Sequence, residues 1–471
     1  MIRSLISRFA PSFFVCLIAI STCAAQANLS ARIDRYVKAE MSKQNIPGIS
    51  LAVLRNGRVV LLRSYGMANV EHQVPVKPET IFQSGSIGKQ FTAMEVMMLA
   101  EEGKLSLDDK ITKFFSDAPA AWAGITIRHL LNHTSGLGDY PPEIELKRDY
   151  TEEELLSYFK KTPLDFEPGT SWNYSNVGYV MLGILIRKVT GKFYGDFLQE
   201  RIFKPLGMTT ARVISEADIV PNRAAGYRLV NGAFKNQEWV SPSTNSTADG
   251  SLYFSILDLA RWDAALYTNT PLKQSSLNQM WAQTTLQDGR RKPYGFGWHT
   301  NVIHGRRVAF HGGAWQGFKS SIIRFLDDKL TIIFLANSWD TNDFKLTRGL
   351  AAIFYPKFAL PATERIADRE PQTSALVRRI LNIGRSIEQR ELFTPEFHSE
   401  LLKGKARQLA ASLDSLSLPV AVIHLSELVG RRDEGELRVY RYLLIDLGKT
   451  LSCTVKLTRD NKVASIELSE M

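Results

Sequence analysis

Ile46-Pro-Gly-Ile-Ser-Leu-Ala-Val-Leu-Arg-Asn-Gly-Arg-Val-Val-Leu-Leu62 reads as two strands closed by a tight hairpin. Two apolar runs, Ile46–Leu54 and Val59–Leu62, flank Asn56-Gly57, the dipeptide best suited to the positive φ angles of a two-residue turn. Working outward, a helical pattern over Ala31–Lys43 precedes the hairpin. Helical patterns follow at Ile87–Glu102, Glu152–Lys160 and Tyr179–Val189, and strand patterns return at Arg307–His311, Ser320–Phe325 and Leu330–Leu335. Strands at both ends enclosing helices predict an α+β fold. One antiparallel sheet is built from the two ends and flanked by helices with a helical subdomain, rather than an alternating βαβ order.

The pattern changes after Tyr355-Pro356. Residues 361–373 are polar with Pro361 and Pro371 and read as a linker closing a main domain over 28–360. Helical patterns at Ser374–Ile383 and His398–Ser412 come next. Strand patterns at Pro419–His424, Leu437–Asp446, Leu451–Leu457 and Lys462–Leu468 complete a small C-terminal helix-plus-antiparallel-sheet domain over 374–471.

The chain has 471 residues, 44% hydrophobic and 23% charged, which excludes a disordered or fibrous protein. At its start, Arg3 and Arg8 flank Phe13–Ile20, an apolar run too short to span a bilayer, and Ala25-Gln26-Ala27 offers a small-residue cleavage site. This predicts a secretory signal peptide over 1–27 and a periplasmic or secreted mature protein; a lipid anchor on Cys23 is the lesser alternative, Thr22 being a poor fit before it. No later segment has the length and apolarity of a membrane span. Cys16 and Cys23 leave with the signal, so Cys453 has no partner for a disulfide. The formal charge of +10 falls by Arg3 and Arg8 to +8, spread without a basic run, which argues against a nucleic-acid partner. A small-molecule or peptide substrate, fragments of peptidoglycan included, fits better; the sequence leaves the oligomeric state open.

In Ser84-Gly-Ser-Ile-Gly-Lys-Gln-Phe-Thr-Ala93, Ser86 and Lys89 stand three apart at a predicted helix start, so both fall on one face. Phe91, Met94, Met97 and Met98 form the stripe that would anchor the far side. A serine becomes nucleophilic when a neighbouring base takes its proton, and a lysine can be that base once burial or another cation lowers its pKa. The spacing is weak alone, since Ser157-Tyr-Phe-Lys160 repeats it. A second element, Phe166-Glu-Pro-Gly-Thr-Ser-Trp-Asn-Tyr-Ser-Asn-Val-Gly-Tyr179, sets Tyr174, Ser175 and Asn176 in a turn before a helix. Tyr174 beside a lysine ammonium would have a lowered pKa and act as a phenolate base, and Asn176 could orient a substrate amide or the lysine. A third, Phe310-His-Gly-Gly-Ala-Trp-Gln-Gly-Phe318, reads as a glycine-rich turn ending a strand, where one backbone N–H could share an oxyanion hole with that of Ser86. Each has a plainer reading: an N-capping serine with a solvated lysine, a half-buried core tyrosine, a hairpin turn with a surface histidine.

In order and approximate separation, these three elements resemble the penicillin-recognising serine hydrolases, a family of class C beta-lactamases, D-alanyl-D-alanine peptidases, D-aminopeptidases and esterases. Ile125-Thr-Ile-Arg-His-Leu-Leu-Asn-His-Thr-Ser-Gly-Leu137, Pro205-Leu-Gly-Met-Thr209 and Tyr294-Gly-Phe-Gly-Trp298 also look like family stretches, and the likeness runs from about Leu29 to Tyr355. It implies Ser86 as the acylated nucleophile, Lys89 as its partner and Tyr174 as general base. Asn176 would contact substrate, and the oxyanion would lie between the N–H groups of Ser86 and Ala314. His311 and Gly313 match the outer positions of the third motif. Family members commonly carry there a lysine followed by a threonine or serine that bind the substrate carboxylate; His311 and Gly312 give a weaker carboxylate site. The resemblance thus implies an ester, amide or D-amino-acid peptide hydrolase with weak or no beta-lactamase activity and no cofactor or metal. A true beta-lactamase or D-alanyl-D-alanine carboxypeptidase is the first alternative, and a non-catalytic envelope binding or scaffold protein the second.

Two other hydrolase classes fit poorly. Ser84-Gly-Ser-Ile-Gly88 nearly matches the nucleophile elbow G-x-S-x-G, but Ser84 replaces the first glycine and the alternating βα order is missing. His129 and His133 lie four apart, yet Leu130 stands where a zinc protease needs glutamate, so packing or capping is their expected role.

Overall fold

The computed structural model describes residues 28–360, 366, 368–381, 387–414 and 425–471. The expected signal peptide, part of the expected linker and the expected strand Pro419–His424 lie outside them.

The hairpin forms as its sequence dictates: Asn56 and Gly57 take φ of 52° and 70°, joining strands Gly48–Arg55 and Arg58–Asn69. These two belong to one seven-stranded antiparallel sheet. Its spatial order is His299–Ile303, Arg306–Trp315, Phe318–Phe325, Leu330–Ala336, Gly48–Arg55, Arg58–Asn69, Val74–Pro75. The two chain regions join where Ile49 pairs Ala336 and Arg55 pairs Leu330. Sheet construction from both ends is therefore as expected.

Gly48 through Leu54 are all buried, which explains a nearly continuous apolar run where a half-exposed strand would alternate. Ala52 and Leu54 face the helical block, sharing a core with Phe91, Met94 and Leu185. Ile49, Leu51 and Val53 face the other way, into a core with Ile33 and Val37 of helix 28–44 and Leu346 and Leu350 of helix Asp343–Phe354. Helix Lys89–Glu101 departs from the stripe reading: Lys89, Gln90, Thr92 and Glu95 are buried along with the methionines, because the helix runs through the middle of the helical block. Among the described residues no helix is long and apolar enough to cross a membrane.

The C-terminal residues form a second antiparallel sheet, Leu425–Glu434, Leu437–Ile445, Thr450–Leu457 and Val463–Glu470 in that order. The sequence reading missed the first of these strands, whose polar composition and two register shifts, at Leu425/Glu427 and Leu428/Gly430, hide any alternation. Helix Pro371–Leu381 starts within the segment expected to be linker. The helix expected over His398–Ser412 is two, Pro395–Glu400 and Ala406–Asp414, parted by a wide turn in which Gly404 takes φ 125°. Arg348, buried on helix Asp343–Phe354, reaches across to this second sheet. It donates to the carbonyls of Asp446 (2.9 Å) and Lys449 (2.7 Å), to Thr450 Oγ1 (2.8 Å), and back to the carbonyls of Phe358 (2.9 Å) and Ala359 (3.2 Å). The outer core is continuous from Leu350 to Tyr440 and Val455.

Candidate active site

Strand Ile81–Gln83 pairs with Leu252–Ser255 and delivers the chain to Ser84, whose N–H donates to the Leu252 carbonyl at 2.8 Å. A tight 3-10 turn, Gly85–Gly88, then carries Ser86 ahead of helix Lys89–Glu101, so the α-helix begins later than the Ile87 start expected and Ser86 sits in the turn before it. Gly85 takes φ 52°, and a Cβ there would stand 2.4 Å from the backbone nitrogen of Ala314. Glycine is what lets strand Arg306–Trp315 lie against the serine turn. Gly313 is held to the same rule, because a Cβ on it would meet the Ser84 carbonyl oxygen at 2.0 Å. The Ser320 hydroxyl donates to that oxygen at 2.6 Å, and the Ser84 hydroxyl to the Gly250 carbonyl at 2.8 Å, fixing the turn from two sides. The glycine stretch expected as a turn is thus strand through Trp315, and the turn falls at Gln316-Gly317 with φ 35° and 81°.

Lys89 is fully buried and spends its three N–H donors inside the site. Nζ donates to Ser86 Oγ at 3.2 Å, Asn176 Oδ1 at 2.7 Å and the Asp249 carbonyl at 2.5 Å. Burial pulls its pKa down to about 8, against the opposing pull of the Asp249 and Asp139 carboxylates.

Tyr174 lies against this ammonium, ring centroid 4.9 Å from Nζ. Its hydroxyl is buried without a hydrogen-bond partner among the described residues. Burial raises its pKa well above the ordinary phenol value, and the neighbouring Ser86 hydroxyl only partly offsets the rise. The expectation of a lowered tyrosine pKa is therefore reversed: desolvation is the largest influence on the phenol, and lysine is the group whose titration is brought toward neutrality. Ser175 caps helix Asn176–Thr190 by accepting from the Gly178 N–H, which makes Asn176 the first helical residue rather than part of the preceding turn.

His311 lies behind this group, 3% exposed. Its Nδ1–H donates to the Gly312 carbonyl (2.6 Å), a group that can only accept, which leaves Nε2 to accept from the Tyr294 hydroxyl (3.1 Å). Burial drops its pKa to about 3, so the ring is neutral with both nitrogens engaged. His133, in left-handed backbone at φ 62°, accepts the Ser175 N–H on Nδ1 (3.2 Å) and packs 4.4 Å from the Tyr174 ring. His129 completes a capping box with Thr126. Both histidines do the packing and capping expected of them.

A cavity of about 480 Å³ opens over Ser86, lined by Asn176, Ala314 and Gly250, with Ile144, Leu146, Trp315 and Trp339 among its apolar walls. Of the expected residues, Ser86, Lys89, Tyr174, Asn176, Gly313 and Ala314 come together here, and His311 stands behind them. Two further residues belong to the site, Asp139 and Asp249, both lining the cavity. Asp139 accepts from Asn176 Nδ2 through both oxygens, at 3.0 and 3.2 Å. Asp249 accepts from Thr247 Oγ1 at 2.6 Å. Each is a lone acid in a loop, and no sequence periodicity marks it.

The family model described as "Beta-lactamase" matches residues 33–354. Penicillin-binding protein 4* of Bacillus subtilis (strain 168) is 31% identical over 356 residues, covering 70% of this chain and 76% of that protein. A D-aminopeptidase of Gluconobacter oxydans (strain 621H) is 28% identical over 338 residues, covering 69% of this chain and 62% of its own length. The octameric penicillin-binding protein homologue from Pyrococcus abyssi shares the fold at a TM-score of 0.64 and 22% identity, over 94% of this chain and 98% of that one. With the serine turn, the buried lysine and the glycine-bearing strand assembled over one cavity, the chain belongs to the beta-lactamase family of serine hydrolases.

Proposed function

We propose that this protein is an exported hydrolase that forms an acyl-enzyme on Ser86 and cleaves an ester, an amide or a D-amino-acid-containing peptide bond, with weak or no beta-lactamase activity. The observation that carries the reading is Lys89: a fully buried amine whose pKa is drawn to about 8 while it touches the Ser86 hydroxyl. In its neutral form Lys89 takes the Ser86 proton as Oγ attacks the substrate carbonyl. The N–H groups of Ser86 and Ala314 stabilise the oxyanion. Collapse of the tetrahedral intermediate breaks the bond to the leaving group, which receives the proton from Lys89 by way of the Tyr174 hydroxyl. Water then attacks the acyl-enzyme, its proton passing back along the same groups, and frees the acid product and Ser86. Beta-lactams fit poorly because neither nitrogen of His311 is left for their carboxylate.

Intact-mass spectrometry of the mature protein tests this, with p-nitrophenyl acetate, a penicillin, nitrocefin and a D-alanyl-D-alanine peptide supplied in parallel. The expected result is a transient adduct from the ester, missing in the S86A variant, and slow or no release from any beta-lactam adduct. Fast nitrocefin turnover would restore the beta-lactamase reading. Ester turnover retained in a folded S86A variant would overturn the mechanism, and a protein that takes no label from any of the four would match a scaffold.

A further inference from the structure

The cavity over Ser86 has an unusual charge balance for a family that so often binds carboxylates. Among the described residues its lining holds two charged side chains, Asp139 and Asp249, and no lysine, arginine or histidine. Lys89 lies beneath the serine with each N–H already donated, to Ser86, Asn176 and the Asp249 carbonyl. His311 is buried, neutral and bonded at both nitrogens. Among the described residues that line the space a substrate enters none is basic, so a carboxylate held between Asp139 and Asp249 would meet two like charges.

Both acids retain capacity to accept. A carboxylate offers about four lone-pair positions. Asp139 is exposed and accepts from two nitrogens, the Asn176 amide and the Tyr140 backbone N–H at 2.9 Å, while Asp249 is half-buried with one close donor, Thr247 Oγ1, and a distant one, the Tyr140 hydroxyl at 3.4 Å. Burial raises the Asp249 carboxyl above its ordinary value, an effect that an incoming cation reverses. Away from these acids the cavity wall is apolar, with Pro141, Pro142, Ile144, Leu146, Trp315 and Trp339.

Resting on the proposed acyl-enzyme reading, we infer that Asp139 and Asp249 set specificity by holding a free ammonium group next to the scissile carbonyl. The acyl part of the substrate is then an unblocked aminoacyl group with a large apolar side chain, as in an amino-acid amide, an amino-acid ester or the N-terminal residue of a peptide. A blocked amine, or a free carboxylate in that position, is excluded by the same charges.

The test compares kcat/KM for D- and L-phenylalanine p-nitroanilide with their N-acetyl forms, in the wild type and in the D139N and D249N variants. The free amine should be preferred by about tenfold or more in at least one stereochemical series, a fraction of the attraction between unit charges about 4 Å apart in a partly screened site. The ratio of free to acetylated substrate should fall toward one in each variant, and using a ratio cancels any loss of turnover common to both. A wild type that prefers the acetylated form, or a ratio that neither substitution moves, overturns the inference. A measurement free of variants and of anilide turnover runs beside it: phenethylamine should inhibit p-nitrophenyl acetate hydrolysis competitively and phenylacetate should not. The reverse order overturns the inference as well. Because p-nitrophenyl acetate is neutral, its turnover and its Ser86 adduct report on the acyl-enzyme alone. Should they be present while the amine preference is missing, the specificity falls and the mechanism stands; should they be missing, the mechanism itself has failed.

Discussion

Asn176 turns its side-chain oxygen toward Lys89 because Asp139 takes its nitrogen. Nδ2 lies 3.0 and 3.2 Å from the two Asp139 oxygens, while Oδ1 accepts from Nζ at 2.7 Å. A flipped amide would set donor against donor at the lysine and acceptor against acceptor at the carboxylate. Asp139 thus acts on the lysine through the asparagine.

Removing that anchor in D139A should lower kcat for a neutral ester by about tenfold, the scale of one lost charge-assisted hydrogen bond. In an N176A background the same change should add little, since the two residues act in series. Steady-state kinetics on the four proteins checks this; full additivity would show that Asp139 acts by another route.

The pH profile follows from the sign of the lysine shift. Lys89 must be neutral to accept the Ser86 proton, so kcat/KM for a neutral ester should rise with pH through about 8 and then level off. The Asp139 carboxylate pulls that value upward, so the rising limb should move to lower pH in D139N. A profile flat across that range would remove Lys89 as the titrating base.

Glu95 offers a stability test remote from the chemistry. It is fully buried in helix Lys89–Glu101, neither oxygen has a hydrogen-bond partner among the described residues, and burial raises its pKa well above the usual carboxylate value. The folded chain therefore holds this proton more tightly than the unfolded chain. Its contribution to stability is complete below the unfolded carboxyl pKa of about 4.3 and is lost as pH rises toward the folded value. E95Q should match or trail the wild type at low pH and exceed it at pH 8, by about 1 °C in Tm for each kcal/mol in a chain of this length melting as one unit. Thermal melts at both pH values decide it, and an unchanged difference between them counts against a neutral Glu95.

Restoring the lysine common at the third motif should not create a beta-lactamase. H311K would put an ammonium into a site walled by the Tyr294, His299 and Tyr174 rings and delete the bonds to Tyr294 and Gly312. The expected outcome is a loss of about 1–3 kcal/mol in stability with no gain in nitrocefin hydrolysis, read by denaturant titration and a chromogenic assay. A stable H311K variant with raised nitrocefin turnover would show that the space around position 311 opens to substrate.

Much of this was legible in the residues themselves. Asn56-Gly57 announces its hairpin because few dipeptides take two positive φ angles, and the both-ends sheet follows from where the apolar runs lie. Gly312 and Gly313 misled for a physical reason: glycines usually mark turns, whereas here they keep a strand clear of neighbours, Asp343 Oδ2 at 2.8 Å and the Ser84 carbonyl at 2.0 Å from the Cβ each lacks. The Tyr174 shift had the wrong sign because charge is visible in a motif and desolvation is not. Asp139 and Asp249 were invisible, since only tertiary folding brings their loops to Asn176 and Lys89.

Arg348 decides how this molecule comes apart. Its guanidinium is buried between two sheets and satisfied by carbonyls on both sides, with one apolar core running past it. Melting either sheet alone breaks these hydrogen bonds and exposes to water the apolar core the two share, a cost of several kcal/mol. Calorimetry should therefore record one shared transition for the whole chain rather than two, and a chain ended after Leu360 should fail to reach the native state, so that the C-terminal sheet serves as an obligatory folding partner of the hydrolase it follows.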